Sequence, residues 1–222
     1  TLPAAKGLEE LYSSYNSTLQ EFQVSDFPAL RILNCAQCRI KELDLTGSPE
    51  LETLNCTMNQ LTVLNITGCT KLVSLNCSMN QLTALDLTGF SAINTLNCAS
   101  NKLTQLDVSK CAELVSLNCS SNQLTVLPVS GLEKLETLLC IGNQLTSLQV
   151  SDQVTLKKLS ATWNRYTVQL DSLNRFYLSD LPGDFQISRV DADSWTNVVT
   201  DGDAVYAADP SQNITYTYYP TS

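Results

Sequence analysis

The chain has 222 residues, 43% of them hydrophobic, with nine cysteines, no histidine and a formal charge of −9. That acidic balance leaves no basic face for nucleic acid or anionic lipid, so neither is expected as a partner. No stretch of 18 apolar residues exists, so no membrane insertion by this segment is expected. The length suits one long unit with caps or two small domains. Residues 166–222 hold eight acidic and two basic side chains, so most of the negative charge lies at that end.

A fixed period decides between one unit and two. The stretch from Leu51 to Lys71, LETLNCTMNQLTVLNITGCTK, is copied with openings at Leu72, Ile93, Leu114, Leu135 and Leu156, and an earlier copy opens at Leu30. Seven openings 21 residues apart predict a solenoid, in which no coil buries its inner side alone and stability comes from neighbours.

In chain order, residues 1–7 read as a lead-in. Leu8, Leu11, Ser13, Asn16, Leu19, Phe22, Val24 and Phe27 follow the repeat with one inserted residue after the asparagine, which predicts an irregular first coil, with Glu9, Glu10, Tyr12 and Tyr15 on its outer face. Residues 1–29 are therefore assigned to an N-terminal irregular capping coil and 30–165 to the regular repeats.

Within each repeat the triplet Leu54-Asn55-Cys56, recurring as Leu75 to Cys77, Leu96 to Cys98 and Leu117 to Cys119, alternates in, out, in, as a half-buried strand requires. Stacked triplets predict a parallel front sheet with strands about 4.8 Å apart. The chain then turns at Asn59, Asn80, Asn101, Asn122, Asn143 and Asn164. A tight inward turn strands backbone groups away from water, and a carboxamide carries both a donor and an acceptor for them, so these residues read as an internal ladder. The first regular copy has Cys38 at this phase, where the ladder is expected to be weakest. The second half of each coil, such as Leu82 to Gly89, is too short for a helix and reads as an extended back segment. It ends on Gly47, Gly68, Gly89 or Gly131, at a phase that suits positive φ.

The nine cysteines do not read as a disulfide framework. Cys35, Cys56, Cys77, Cys98, Cys119 and Cys140 form one inward file with parallel Cβ vectors, a poor geometry for bridging, and Ala161 ends it. Cys69 and Cys111 lie two coils apart with Phe90 between. All are expected to act as small core hydrophobes. A metal site at Cys35 and Cys38 lacks a second pair and any histidine, so no metal or cofactor is expected.

Beyond Tyr166 the repeat dissolves into alternating stretches at 166–170, 185–190, 195–199 and 214–218, separated by turn residues. Residues 166–222 are read as a β-rich C-terminal cap over the last coil, with an independent small module as the alternative.

The pattern L-x-x-L-x-C-x-x-N-x-L-T-x-L-D-L-T-G resembles the short 21-residue bacterial leucine-rich repeat of some internalins and of surface proteins of gut bacteria, with a cysteine replacing leucine in each strand. The resemblance implies a mainly β, right-handed solenoid. It also implies a non-enzymatic, ligand-binding protein at the cell surface or secreted. An export signal is expected upstream of Thr1, and the chain is expected to be a monomer.

Two candidate sites lie on the front. Asn55, Asn76, Asn97 and Asn118, with Asn34 before them, stack coil upon coil. They read either as an amide ladder along the solenoid or as donors and acceptors for a glycan or peptide backbone. Leu139, Ile141, Trp163 and Tyr166, with Lys158 and Arg165 nearby, interrupt an otherwise short and polar face. They read either as a contact for the C-terminal segment or as a hot spot for a protein ligand. The aspartates Asp191, Asp193, Asp201 and Asp203 lack the glycine and terminal glutamate of a calcium loop. Asp44, Asp86 and Asp107 sit one per coil and are not paired in a cleft, so they do not form an acid–base pair. A recognition module follows from these readings, with a glycan or cell-wall binder or a structural spacer as alternatives.

Overall fold

The computed structural model describes residues 6–20, 22–23, 27–146, 148, 155–161 and 164, together with the strand backbones of 175–177, 198–201 and 204–207. In chain order the strands are β1 (Glu10–Tyr12), β2 (Phe22–Gln23), β3 (Ile32–Asn34), β4 (Glu42–Asp44), β5 (Thr53–Asn55), β6 (Val63–Asn65) and β7 (Ser74–Asn76). They continue as β8 (Thr95–Asn97), β9 (Ser116–Asn118), β10 (Thr137–Leu139), β11 (Lys158–Ser160), β12 (Arg175–Tyr177), β13 (Val198–Asp201) and β14 (Ala204–Ala207). No helix occurs among the described residues.

The front sheet is parallel and eight-stranded, in the order β1-β3-β5-β7-β8-β9-β10-β11, one strand per coil. Its register is strict. Leu54 sits opposite Leu75, Leu75 opposite Leu96 and Leu96 opposite Leu117, so the period of the sequence becomes straight files of side chains. At the first coil Leu11 pairs with Leu33, an offset one residue longer, which accommodates the inserted residue.

The extended back segments form a second parallel sheet, β2-β4-β6, in the first three coils only. At the same phase further on stands Pro128, which has no N–H to donate to such a ladder.

The inward leucines at 33, 54, 75, 96, 117 and 138 are at most 1% exposed, and the file at 30, 51, 72, 114 and 135 is wholly buried. Each such leucine contributes up to about 2 kcal/mol of transfer free energy, but only because the coil above and the coil below close the space around it. The cysteine file from Cys35 to Cys140 is fully buried, Ala161 caps it at 1% exposure, and all nine cysteines are free thiols.

The asparagine ladder has the expected geometry. Asn101 donates Nδ2 to the carbonyls of Cys98 (3.1 Å) in its own coil and Cys77 (3.1 Å) in the coil before, while its Oδ1 accepts the Leu82 N–H at 2.9 Å. Asn59, Asn80, Asn122, Asn143 and Asn164 repeat the arrangement. One side chain thus satisfies three buried backbone groups, any of which left bare would cost about 1–3 kcal/mol.

Among the described residues, the one before each turn asparagine, and before Cys38 at the same phase, holds a left-handed backbone: Tyr15 (φ 63°), Gln37 (55°), Met58 (54°), Met79 (56°), Ser100 (55°), Ser121 (55°) and Gly142 (63°). The reversal that aims the next amide inward requires this conformation, and glycine supplies it in one coil only. Of the four glycines at the coil-end phase, Gly68, Gly89 and Gly131 hold φ of 80–89°, whereas Gly47 does not share the positive φ.

Beyond the repeats, β12, β14 and β13 form a three-stranded antiparallel sheet. β13 overlaps the stretch expected at 195–199, whereas β12 and β14 were not expected. The stretches at 166–170, 185–190 and 214–218 lie outside the described residues.

Candidate functional site

The front sheet presents three files of outward side chains. The central one runs Tyr12, Asn34, Asn55, Asn76, Asn97, Asn118, Leu139, Ser160, each residue opposite the next across the sheet. Two residues earlier on each strand lie Glu10, Ile32, Thr53, Ser74, Thr95, Ser116, Thr137 and Lys158. The third file, two residues later, includes Thr57, Ser78, Ala99, Ser120 and Ile141. Between Glu10 and Lys158 no charged side chain lies on any of the three files.

The outward asparagines do not bond to one another along the solenoid, which corrects the amide-ladder expectation for this file; among the described residues, its one side-chain bond between coils is at Asn34, whose Oδ1 accepts the Ser14 hydroxyl at 2.7 Å. Each Oδ1 accepts the backbone N–H two residues on: Ala36 to Asn34 (3.3 Å), Thr57 to Asn55 (3.2 Å), Ser78 to Asn76 (3.2 Å), Ala99 to Asn97 (3.2 Å) and Ser120 to Asn118 (3.1 Å). The physical reason is local. The strand ends at the asparagine, so the N–H at i+2 has left the sheet ladder and takes the nearest carbonyl oxygen. An N–H can only meet an oxygen, which fixes the amide orientation and leaves the Nδ2 donors without a partner among the described residues.

The later file is more fully engaged. The hydroxyls of Thr57 and Ser78 lie 2.8 Å apart, and Ser78 Oγ donates to Asn76 Oδ1 at 2.7 Å. The earlier file is open, since the hydroxyls of Thr53, Ser74, Ser116 and Thr137 have no partner among the described residues.

At β10 the polar pattern breaks. Leu139 takes the asparagine position and Ile141 the serine position, both half-buried. Without an amide at 139, the Ile141 N–H turns to Ser120 Oγ at 3.3 Å. Lys158 is exposed on the next strand, at the register of Thr137. Trp163, Arg165 and Tyr166 lie outside the described residues.

The first coil closes the file at the other end with two aromatic rings that sequence reading had assigned only to capping. Tyr12 is 62% and Tyr15 75% exposed. Their exposure agrees with an outer-face position, and the register adds that Tyr12 stands opposite Asn34. The Tyr12 hydroxyl donates to Glu10 Oε2 at 3.1 Å, an acceptor that pushes its pKa up.

At the margins of the front sheet, ion pairs join neighbouring coils. Arg31 meets Glu52 through two bonds (3.0 and 2.9 Å), Lys134 meets Glu113, and Lys157 meets Glu136. The Arg31 guanidinium holds the Glu52 carboxyl below its usual range. The aspartates of the back edge serve turns: Asp44, Asp86 and Asp107 accept the N–H of Thr46, Thr88 and Ser109. The Thr88 side chain and N–H hold the Asp86 carboxyl, and the Ser109 N–H and side chain hold the Asp107 carboxyl, below the ordinary carboxylate range. Among the described residues no group of three ligating side chains converges on a metal position.

No protein-family profile and no curated protein matches the chain. Solved structures do. The functional domain of InlJ from Listeria monocytogenes, which includes a cysteine ladder, is 32% identical over 75% of this chain and 42% of its own, with a TM-score of 0.57. A leucine-rich-repeat protein from Leptospira interrogans is 26% identical over 73% of this chain and 45% of its own, with a TM-score of 0.67. An internalin, InlF, from Listeria monocytogenes shares the fold at 23% identity over 71% of this chain and 48% of its own, with a TM-score of 0.65. The chain thus spans less than half the length of each of these three proteins. With the coil phase, the sealed file of thiols and these likenesses in agreement, the chain is an internalin-like leucine-rich-repeat protein built on a cysteine ladder.

Proposed function

We propose that this chain is a recognition module that binds a protein partner through the C-terminal end of its front sheet, outside the cell that makes it. One observation carries the reading: Leu139 and Ile141 replace asparagine and serine at the same register where the preceding strands are polar. An outward strand face gains nothing in water from two large aliphatic side chains, whereas an apolar centre with a polar surround is the anatomy of a binding hot spot. Lys158 lies at its margin, and Trp163, Arg165 and Tyr166 extend the proposed site by their place in the sequence. Placement outside the cell rests on the resemblance of the repeat to bacterial surface repeats.

The test is capture of surface proteins from bacterial and host extracts by immobilised wild-type chain and by Leu139→Asn with Ile141→Ser. That double variant installs the residues the neighbouring coils already carry, so the coil has a precedent for folding with them. Loss of a captured protein with unchanged thermal stability supports the site. Equal capture by both proteins overturns it.

A further inference from the structure

We infer that the central file of the front sheet, from Tyr12 through Asn55, Asn76, Asn97 and Asn118, is a track for an extended, uncharged β-1,4-linked polysaccharide. This site is separate from the apolar end at Leu139 and Ile141 and does not depend on it.

The functional groups on offer are defined by geometry. Each outward amide spends its oxygen on the N–H two residues on, so what remains is an NH2 donor, half-buried and without a partner among the described residues. One file over, the free hydroxyls of Thr53, Ser74 and Ser116 supply a second row. Because these strand pairs are in strict register, both rows run straight along the stack, the amide row with one donor per coil and the hydroxyl row interrupted at Thr95, which donates to Asn94.

Spacing selects the polymer. Successive donors stand about 4.8 Å apart, whereas an extended peptide advances about 3.4 Å per residue and drifts out of phase within two coils. The sugar unit of an extended β-1,4-linked chain advances by close to one strand spacing and successive units are turned over, so each coil meets one unit and the same oxygens return to the donors at every second coil.

Charge selects within that class. Between Glu10 and Lys158 the strip carries no ionic side chain, and Arg31, Lys134 and Lys157 at its margin are paired with Glu52, Glu113 and Glu136, so an anionic polymer finds no cation along the asparagine file. Tyr12 heads the same file at 62% exposure and offers an aromatic face for the C–H side of a pyranose ring.

The test is the mobility of the intact chain in native gels containing hydroxyethylcellulose or glycol chitin, with dextran and polygalacturonate as α-linked and anionic controls. Wild-type protein should be retarded by at least one neutral β-1,4 polymer and by neither control. Asn55→Asp with Asn97→Asp keeps each turn-capping oxygen and replaces each NH2 donor with a carboxylate oxygen, so it should fold and bind about tenfold or more weakly. Tyr12→Ala, at an exposed position, should weaken binding severalfold, while Leu139→Asn with Ile141→Ser, which adds one donor beside Asn118, should not weaken it. Three results overturn the inference: no retardation by either neutral polymer, equal retardation of the Asp variant, or preferential retardation by polygalacturonate. Capture of a protein that the Asp variant abolishes, without any glycan retention, also overturns it and assigns the face to a protein. Failure of the Leu139 and Ile141 test leaves this track untouched, and the reverse holds too.

Discussion

The thiol of Cys38 donates to the carbonyl oxygen of Ser13 at 3.3 Å, in the slot that an asparagine amide fills in six later coils. A thiol offers this donor but only a feeble acceptor. The Leu19 N–H, which an amide oxygen would otherwise take, bonds instead to Asn16 O at 2.9 Å, and Ser13 Oγ is buried without a partner. Cys38→Asn should therefore extend the ladder by one coil and raise stability by about 1 kcal/mol. The opposite change, Asn80→Ala, strips the Cys56 and Cys77 carbonyls and the Leu61 N–H of their partner and should cost about 3–5 kcal/mol. Urea midpoints at constant m-value measure both, and a destabilised Cys38→Asn would show that the longer first coil has no room for the amide.

A second group of predictions concerns the left-handed residues. Met79 holds φ at 56° with its side chain 51% exposed, so the conformation is maintained by the turn and not by packing of the methionine. Left-handed backbone costs a residue with a Cβ about 1–2 kcal/mol, partly offset by the greater unfolded-state entropy of glycine. Met79→Gly should stabilise by about 0.5–1 kcal/mol. Gly142→Ala should destabilise by about 1 kcal/mol. The latter cost is conformational alone, since an added Cβ would meet atoms of Ser121 no closer than 3.8 Å. Thermal midpoints of the two single variants, moving in opposite directions, are the check.

Much of this fold was legible because a 21-residue phase that never slips places like residues at like depth: Cys77 and Cys98 had to share an environment before any coordinate was known. The inward asparagines were legible for the same reason, their chemistry matching a turn that needs a donor and an acceptor together. The left-handed column was not. Tyr15, Gln37, Met58, Met79, Ser100 and Ser121 share no side-chain property, and the only hint was Gly142 at their phase. Nor was the outward amide geometry, because periodicity places Asn55 on the surface but does not say that its own i+2 N–H outcompetes the next coil. The candidate site was half legible. The break at Leu139 and Ile141 stood out against the repeat, while Tyr12 joined the asparagine file only through a 22-residue offset that a strict period hides.

The charged margins lead to a third prediction. Glu50 with Lys71 and Glu113 with Lys134 occupy one phase with opposite signs on adjacent coils, and Arg31 with Glu52 and Glu136 with Lys157 occupy another. These side chains are 40% or more exposed, so each pair contributes little and is screened by salt. Their larger effect is on register, because a slip by one coil would set Glu50 or Glu113 against an uncharged neighbour. Lys134→Glu should cost less than about 1 kcal/mol at low salt, a difference that vanishes near 1 M NaCl. A loss of several kcal/mol that persists in salt would contradict the assignment of the margins as solvated pairs.

The cysteine file makes a prediction about pH. Burial pushes the thiols of Cys35, Cys77 and Cys119 up to about 12, and those of Cys69 and Cys111 up to about 11. Cys56 and Cys98 are raised well above their ordinary value by the same cause. In the unfolded chain the same thiols ionise near about 8.5. Below that pH both states hold their protons, and the thiols make stability independent of pH. Above it the unfolded chain releases protons that the folded chain retains, so unfolding becomes easier by about 1.4 kcal/mol per pH unit for each buried thiol, until the folded thiols ionise as well. Several thiols losing stability together should exhaust a total of about 5–15 kcal/mol within two or three pH units. Urea midpoints should accordingly be flat from pH 6 to 8 and fall steeply above pH 9, with thiols that react with a disulfide reagent only as the chain unfolds. Cys77→Ala with Cys119→Ala should lower stability at pH 7 through two small cavities, yet lessen the alkaline slope by two thiols. A midpoint that stays level to pH 10.5, or a slope the double variant leaves unaltered, would mean that the thiols ionise without opening the solenoid.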